Sequence, residues 1–116
     1  MSREIEELQA ALRRFAEERD WGQFHTPKNL AAALSVEAAE LLEHFQWLTD
    51  EQSRQLTDEQ RQAVGHEIAD VLLYLLQLSD KLGIDPLEAA RQKMKINAGN
   101  YPADKARGSI RKYTEL

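Results

Sequence analysis

Two pairs of acidic residues, each pair three residues apart, interrupt apolar stretches of the chain. Glu37 and Glu40 lie among alanine, valine and leucine, and Glu67 and Asp70 border a second run of apolar residues. On a helix, residues three apart share a face, so each pair presents two stacked carboxylates. Four carboxylates brought together in a partly dry interior repel one another unless a cation compensates their charge. The sequence therefore predicts two facing helices with a metal site between them.

The rest of the chain also carries helical spacing. Thr26-Pro27, Thr57 with Gln60, and Asp85-Pro86 are start signals, and Gly83 is a stop signal. No stretch shows the two-residue alternation of a half-buried strand. We predict helices over 3–19, 27–48, 58–82 and 86–99 and an irregular tail over 101–116. Short connections between four helices predict an all-α, antiparallel four-helix bundle, with 1–116 as a single domain.

Composition narrows the functional class. Twenty acids against 15 bases give a net charge of −5, which argues against a protein that binds nucleic acid polymers. The absence of cysteine excludes thiolate chemistry and fits a cytoplasmic location, and no stretch is apolar enough to predict a membrane span or a signal sequence. The run 71–78 is apolar almost all round the helix, so part of it should contact another subunit.

Carboxylates without histidine or cysteine are hard ligands, which favours Mg²⁺ or Mn²⁺ over zinc or copper. A ferritin-like di-iron site needs Glu-x-x-His on two helices, and His44 and His66 do not have that spacing. Mg²⁺ commonly takes up phosphate oxygens of a substrate, and the chain has no glycine-rich phosphate loop. These features predict metal-assisted phosphoryl chemistry on a nucleotide. A carboxylate such as Glu40 or Glu43 would then activate the attacking water.

Two further groups of residues have a functional and a structural interpretation. The aromatic side chains Trp21, Phe24, Trp47 and Tyr74 could stack on a base or belong to the core. His25 and Asn29, near the start of the second helix, could reach substrate or cap the helix. The many bases between 91 and 112 suit a polyanionic ligand, although each one alone is more typical of a solvated helix face or a mobile tail.

Several motifs together resemble a known family. They are the two acid pairs and the segments 18–25 (ERDWGQFH), 27–30 (PKNL), 45–47 (FQW), 70–74 (DVLLY), 107–109 (RGS) and 112–116 (KYTEL). The pattern resembles the MazG-like all-α nucleoside triphosphate pyrophosphohydrolases and is most similar to their dCTP pyrophosphatase branch. The four acids alone mark the superfamily, whereas the aromatic segment and the tail point to the branch.

The resemblance implies an enzyme that cleaves the bond between the α- and β-phosphates of dCTP or a modified dCTP. Such an enzyme removes unwanted nucleotides from the pool. It implies that Glu37, Glu40, Glu67 and Asp70 are catalytic and hold Mg²⁺, and that the family's homotetramer forms. The implied substrate-binding residues are Trp21, Gln23, Phe24, His25, Asn29, Trp47, Tyr74, Lys93 and Asn97.

Two positions depart from the family pattern. Leu12 stands where mammalian members of the branch have a substrate-side histidine, and Asn100 stands where a base is common. These departures leave room for a shifted or broader nucleotide range. A binder or hydrolase of another nucleotide, such as a dUTPase-like enzyme, is a separate alternative. A helical oligomerisation module with a structural ion is the non-enzymatic alternative.

Overall fold

A computed structural model describes residues 2–116, and within that range all regular secondary structure is helical, without strands. This confirms the predicted all-α class. The α-helices are α1 (Arg3–Glu18), α2 (Pro27–Glu43), α3 (Asp50–Arg54), α4 (Asp58–Leu82), α5 (Pro86–Asn100) and α6 (Ala103–Ala106). Short 3₁₀ turns cover Gly22–Phe24 and Tyr113–Glu115.

Local capping chemistry explains where the long helices begin and end. The Thr57 hydroxyl accepts a hydrogen bond from the Gln60 backbone while the Gln60 side chain accepts one from the Thr57 backbone, so α4 opens with a complete capping box. Gly83 follows its last residue with a positive φ of 65°, a conformation that glycine adopts without a steric penalty. The predicted bounds of α4 are therefore confirmed.

The predicted end of α2 is wrong, and one short helix was missed. Helix α2 was expected to reach residue 48, but it ends at Glu43, and the backbone then turns through tight hydrogen bonds such as Phe45 N to Leu42 O. No glycine or proline marks this end in the sequence. The short helix α3 was not predicted, although Thr49 and Gln52 form the same capping box that opens α4.

The tail is also more regular than expected. Proline at position 102 precedes the single turn α6, where its carbonyl accepts hydrogen bonds from the backbone of Lys105 and Ala106. Tyr101 and Tyr113 pack edge to face, with ring centroids 6.0 Å apart. This part of the chain, 85–116, forms one compact unit, and residues 2–84 form another. The expectation of a single domain stays a prediction.

Within the unit 2–84, both α1 and α2 pack on α4. Leu30, Val64 and Leu76 form its buried apolar core. Buried Gln9 of α1 donates from Nε2 to the Leu76 carbonyl, at 3.1 Å, and to the Ser79 hydroxyl, at 3.4 Å. These bonds satisfy a polar side chain that would otherwise be costly to bury, and they fix α1 against α4.

Helix α4 also leaves apolar side chains on the surface. Ile68, Leu72, Leu75 and Leu82 are each between 43% and 53% exposed. A group of this kind is typical of a surface that another protein covers. Among residues 2–116, no helix is both long enough and apolar enough to cross a membrane.

Candidate metal centre and adjoining cavity

The packing of α2 along α4 brings together acids that are distant in the sequence. Glu37 of α2 and Glu67 and Asp70 of α4 each place a carboxylate oxygen within 4.8 Å of the other two. We call these three residues and Glu40 the acid cluster. Three oxygens at this separation can all reach one cation, which is the arrangement predicted from the two acid pairs.

The electrostatics of the acid cluster are unfavourable without a cation. Oε2 of Glu37 is buried and has no hydrogen-bond partner. Burial raises the pKa of Glu37, and the neighbouring carboxyl of Glu40 raises it further. Burial likewise raises the pKa of Glu67 to about 7, with added contributions from Glu40 and Glu37. A hard divalent cation would satisfy the orphaned oxygen and restore these groups to their charged forms, so the residues present fit a metal site.

Glu40 neighbours the other acids but is not one of the three residues whose carboxylate oxygens lie closest together. Its carboxyl interacts with those of Glu37 and Glu67, but it is outside the group of three whose oxygens lie within 4.8 Å. His44 and His66 are exposed and also lie outside that group. Within residues 2–116, the group of close ligand atoms therefore consists of carboxylates alone, as the sequence predicted.

A cavity of about 400 Å³ opens between α1 and α4 and reaches the acid cluster at Asp70. Its wall consists mainly of apolar side chains with a few polar groups. The lining residues are Leu8, Ala11, Leu12, Phe15, Ala16, Trp21, His25, Asp70, Leu73, Tyr74 and Gln77. An apolar pocket with a few convergent polar groups beside a cluster of acids is typical of a ligand site.

Aromatic packing shapes one side of this cavity. The ring of Trp21 packs edge to face on Phe15, with centroids 5.6 Å apart, and on His25, with centroids 6.3 Å apart. Trp21 remains 43% exposed, so part of its ring is available for stacking. Of the predicted substrate-binding residues, the structure places Trp21, His25 and Tyr74 in the cavity wall.

Four other predicted residues lie outside the wall of this cavity. The Gln23 amide donates to Asp20, and the Asn29 amide donates to the Phe24 carbonyl at 2.9 Å. These bonds give Gln23 and Asn29 a structural role in the connection before α2. Phe24 and Trp47 are exposed, Trp47 by 86%. Their assignment to substrate stays a prediction.

The two predicted phosphate-side residues belong to the other compact unit. Lys93 is exposed on α5, and Asn97 is half-buried on the same helix, where its backbone carbonyl accepts a hydrogen bond from Tyr101. Four residues separate them, so they lie on one face of α5. Their role likewise stays a prediction.

Gln77 was not among the site residues predicted from the sequence. This side chain lines the cavity described above and a smaller one of about 140 Å³, which also has Arg13, Glu17, Asp80 and Lys81 in its wall. The available signal was its position seven residues after Asp70, which places both on one face of α4. Leu12, noted above as a departure from the family pattern, also lines both cavities.

Helices that bring acidic residues together beside an apolar cavity define a helical protein with a candidate site for a metal and a small ligand. The model of the MazG-like family matches residues 32–116, and the chain belongs to that family. Human dCTP pyrophosphatase 1 is 45% identical over 114 residues, which cover 97% of this chain and 67% of the human protein. Bovine dCTP pyrophosphatase 1 is 40% identical over the same length, covering 97% of this chain and 68% of its own.

A solved structure supports the same relationship. A pyrophosphatase from Archaeoglobus fulgidus superimposes with a TM-score of 0.81 at 45% sequence identity. The match covers 88% of this chain and 95% of the archaeal chain. The two proteins are therefore similar in sequence as well as in fold.

Proposed function

We propose that this protein is a Mg²⁺-dependent pyrophosphohydrolase that converts dCTP, or a modified dCTP, to the monophosphate and pyrophosphate. The observation that carries the proposal is the 45% identity to a dCTP pyrophosphatase over 97% of the chain. The acid cluster beside an aromatic-lined cavity is the local feature that agrees with it. Clearing such nucleotides from the pool is the corresponding cellular role.

The acid cluster, Glu37, Glu40, Glu67 and Asp70, would hold the metal. The support is the buried, unpartnered oxygen of Glu37 together with the raised pKa of Glu37 and Glu67. An all-carboxylate donor set suits Mg²⁺, and Mn²⁺ as a substitute. When bound, the cation supplies Lewis acidity and neutralises charge on the phosphate oxygens.

The reaction consumes one water molecule. Its oxygen forms a bond to the α-phosphorus, the bond from that phosphorus to the bridging oxygen breaks, and pyrophosphate leaves. A carboxylate of the acid cluster accepts the proton that the water gives up.

The nucleoside part of the substrate would occupy the cavity between α1 and α4. Asp70 belongs both to the acid cluster and to the cavity wall, so phosphates held by a cation on the acids would leave the sugar and base to occupy the cavity. Trp21 offers a partly exposed aromatic face for stacking. Leu12 makes the wall apolar where related enzymes place a histidine, which favours a broader or shifted base range.

We extend the proposal to assembly and location. A homotetramer would cover the exposed apolar residues of α4 and agrees with the resemblance noted above. A nucleotide hydrolase works where nucleotides are made and used, so we place this cysteine-free protein in the cytoplasm. Light scattering coupled to size exclusion tests the assembly directly, since a monomeric mass would contradict it.

The proposed activity is tested with a panel of canonical and modified nucleoside triphosphates in the presence of Mg²⁺. Release of pyrophosphate and monophosphate, strongest with dCTP analogues and lost in Glu37→Gln, is the expected result. Glu59→Gln, an exposed acid on α4 outside the acid cluster, is the matched control and should keep activity. Preference for another base would remove the cytosine assignment, and no activity on any nucleotide would favour a non-enzymatic oligomerisation module.

A further inference from the structure

Three polar side chains of the cavity wall follow one another along a single face of α4. Tyr74 lies four residues after Asp70, and Gln77 lies seven residues after it. Seven residues are about two helical turns and about 10 Å along the axis. Asp70 is part of the acid cluster, so this line of side chains runs from the proposed phosphate end of the site into the cavity.

Gln77 lies at the end of the cavity that is distant from the acids. It lines both the larger and the smaller cavity, together with Leu12, Ala16 and His25, whereas Asp70 lines only the larger one. The side chain is half-buried, and within residues 2–116 its amide has no hydrogen-bond partner. Leu12 and Ala16 cannot form side-chain hydrogen bonds, so Gln77 and His25 are the two polar side chains that both cavities share.

We propose that Gln77 is a specificity-determining residue that hydrogen-bonds the Watson–Crick edge of the substrate base. This inference rests on the proposed function, and it adds a base contact that the sequence motifs do not assign. The cytosine edge presents an amino donor at position 4 and an acceptor at N3. A glutamine amide offers one acceptor and two donors side by side, so it can form both bonds at once. A base held on Trp21 would then be fixed by stacking and by two hydrogen bonds.

The symmetry of the amide limits what Gln77 can distinguish. An amide turned by 180° exchanges its donor and acceptor and matches the 4-keto edge of uracil or thymine equally well. Gln77 therefore selects bases with a complementary two-point edge and does not by itself separate dCTP from dUTP. A 2-pyrimidinone deoxynucleoside triphosphate, which lacks the 4-amino group, is the more informative probe.

The test compares wild type with Gln77→Met, which keeps the length of the side chain and removes the amide. With dCTP, kcat/KM should fall about 10- to 100-fold, because two hydrogen bonds to a partly buried base are lost. With the 2-pyrimidinone analogue the loss should be about ten times smaller, because wild type already lacks one of these bonds. Gln77→Leu should give the same pattern.

Gln62→Met is the matched control. It makes the same change at an exposed position on α4 that lines neither cavity, and it should leave both kcat/KM values unchanged. Mn²⁺ binding measured by calorimetry should be the same in all variants, because Gln77 lies outside the acid cluster.

The outcomes separate the inference from the function on which it rests. Active wild type with an equal loss on both nucleotides, or with no loss, would overturn the role of Gln77 and leave the pyrophosphohydrolase intact. Wild type that releases no pyrophosphate from any nucleotide would overturn the proposed function, and the base contact with it. A loss that is larger for dCTP than for the analogue supports the direct contact.

Discussion

Replacing Glu37 by glutamine should have opposite effects on the protein with and without metal. Oε2 of Glu37 is buried without a hydrogen-bond partner, and burial raises the pKa of this carboxyl. In metal-free protein at pH 8, the neutral amide removes a charge that the site does not compensate. We therefore expect Glu37→Gln to melt at the same temperature as wild type or higher. With metal, the order should reverse, because the amide is a weaker ligand.

The size of the metal effect follows from linkage and chain length. A cation present at 100 times its dissociation constant stabilises the folded state by about 2.7 kcal/mol. For 116 residues, an unfolding entropy of about 2.1 cal/mol/K per residue amounts to about 0.24 kcal/mol/K. Wild type should therefore gain about 11 °C in Tm, and Glu37→Gln should gain much less at the same metal concentration.

The assay is thermal unfolding followed by circular dichroism, at fixed protein concentration, with and without Mn²⁺ at 100 times the dissociation constant found by calorimetry. Glu59→Gln should show the full wild-type shift, because this exposed acid lies outside the acid cluster. A metal-free Glu37→Gln with a Tm clearly below that of wild type would contradict this prediction. An undiminished metal shift in that variant would refute it equally.

Three further predictions follow from the same geometry. Asp70→Asn should abolish pyrophosphate release from dCTP while keeping wild-type helix content by circular dichroism; substantial activity would remove Asp70 from the site. In metal-free protein, Glu67 has a pKa of about 7 against an ordinary value of 4.5, so the folded state holds an extra proton between these values. The stability that this proton contributes should be fully present below about pH 4.5 and lost as the pH rises through about 7. Between pH 8 and pH 5.5, the Tm of Glu67→Gln should therefore change less than the Tm of wild type. An equal change in Tm would contradict the raised pKa of Glu67. Leu76→Ala removes a fully buried side chain and should cost about 2–5 kcal/mol of unfolding free energy in urea; a loss well below that range would contradict the burial of Leu76 in the core.

Helix boundaries were predictable where a side chain closes a local hydrogen bond. The capping residues Thr57 and Gln60 and the glycine at position 83 are sufficient to place α4, because each acts within one turn of the backbone. The same signal at Thr49 and Gln52 was overlooked, and α3 was therefore missed. The end of α2 at Glu43 carries no comparable signal, since the turn after it is made by backbone groups alone.

Some residues of the candidate site could be predicted from the sequence, and others could not. Spacing alone identified the two acid pairs, because residues three apart on a helix always share a face. The sequence also named Trp21, Phe24, Trp47 and Tyr74 as aromatic residues that could stack on a base, and the structure places Trp21 and Tyr74 in the cavity wall. Spacing gave no reason to choose Gln77 from the other glutamines of the chain, because lining a cavity depends on the helix packed opposite.

By itself, the sequence determined the all-α class, the start and stop of α4, the presence of two acid pairs and the family. These properties depend on residue type and on interactions within a few residues of one another. Only the tertiary structure decided that Glu37 meets Glu67 and Asp70, that the Glu37 oxygen has no partner, and that a cavity extends from Asp70 to Gln77. Each of these features depends on how α1 and α2 pack against α4. Packing between helices depends on the shapes of many side chains at once, and no local sequence pattern encodes it.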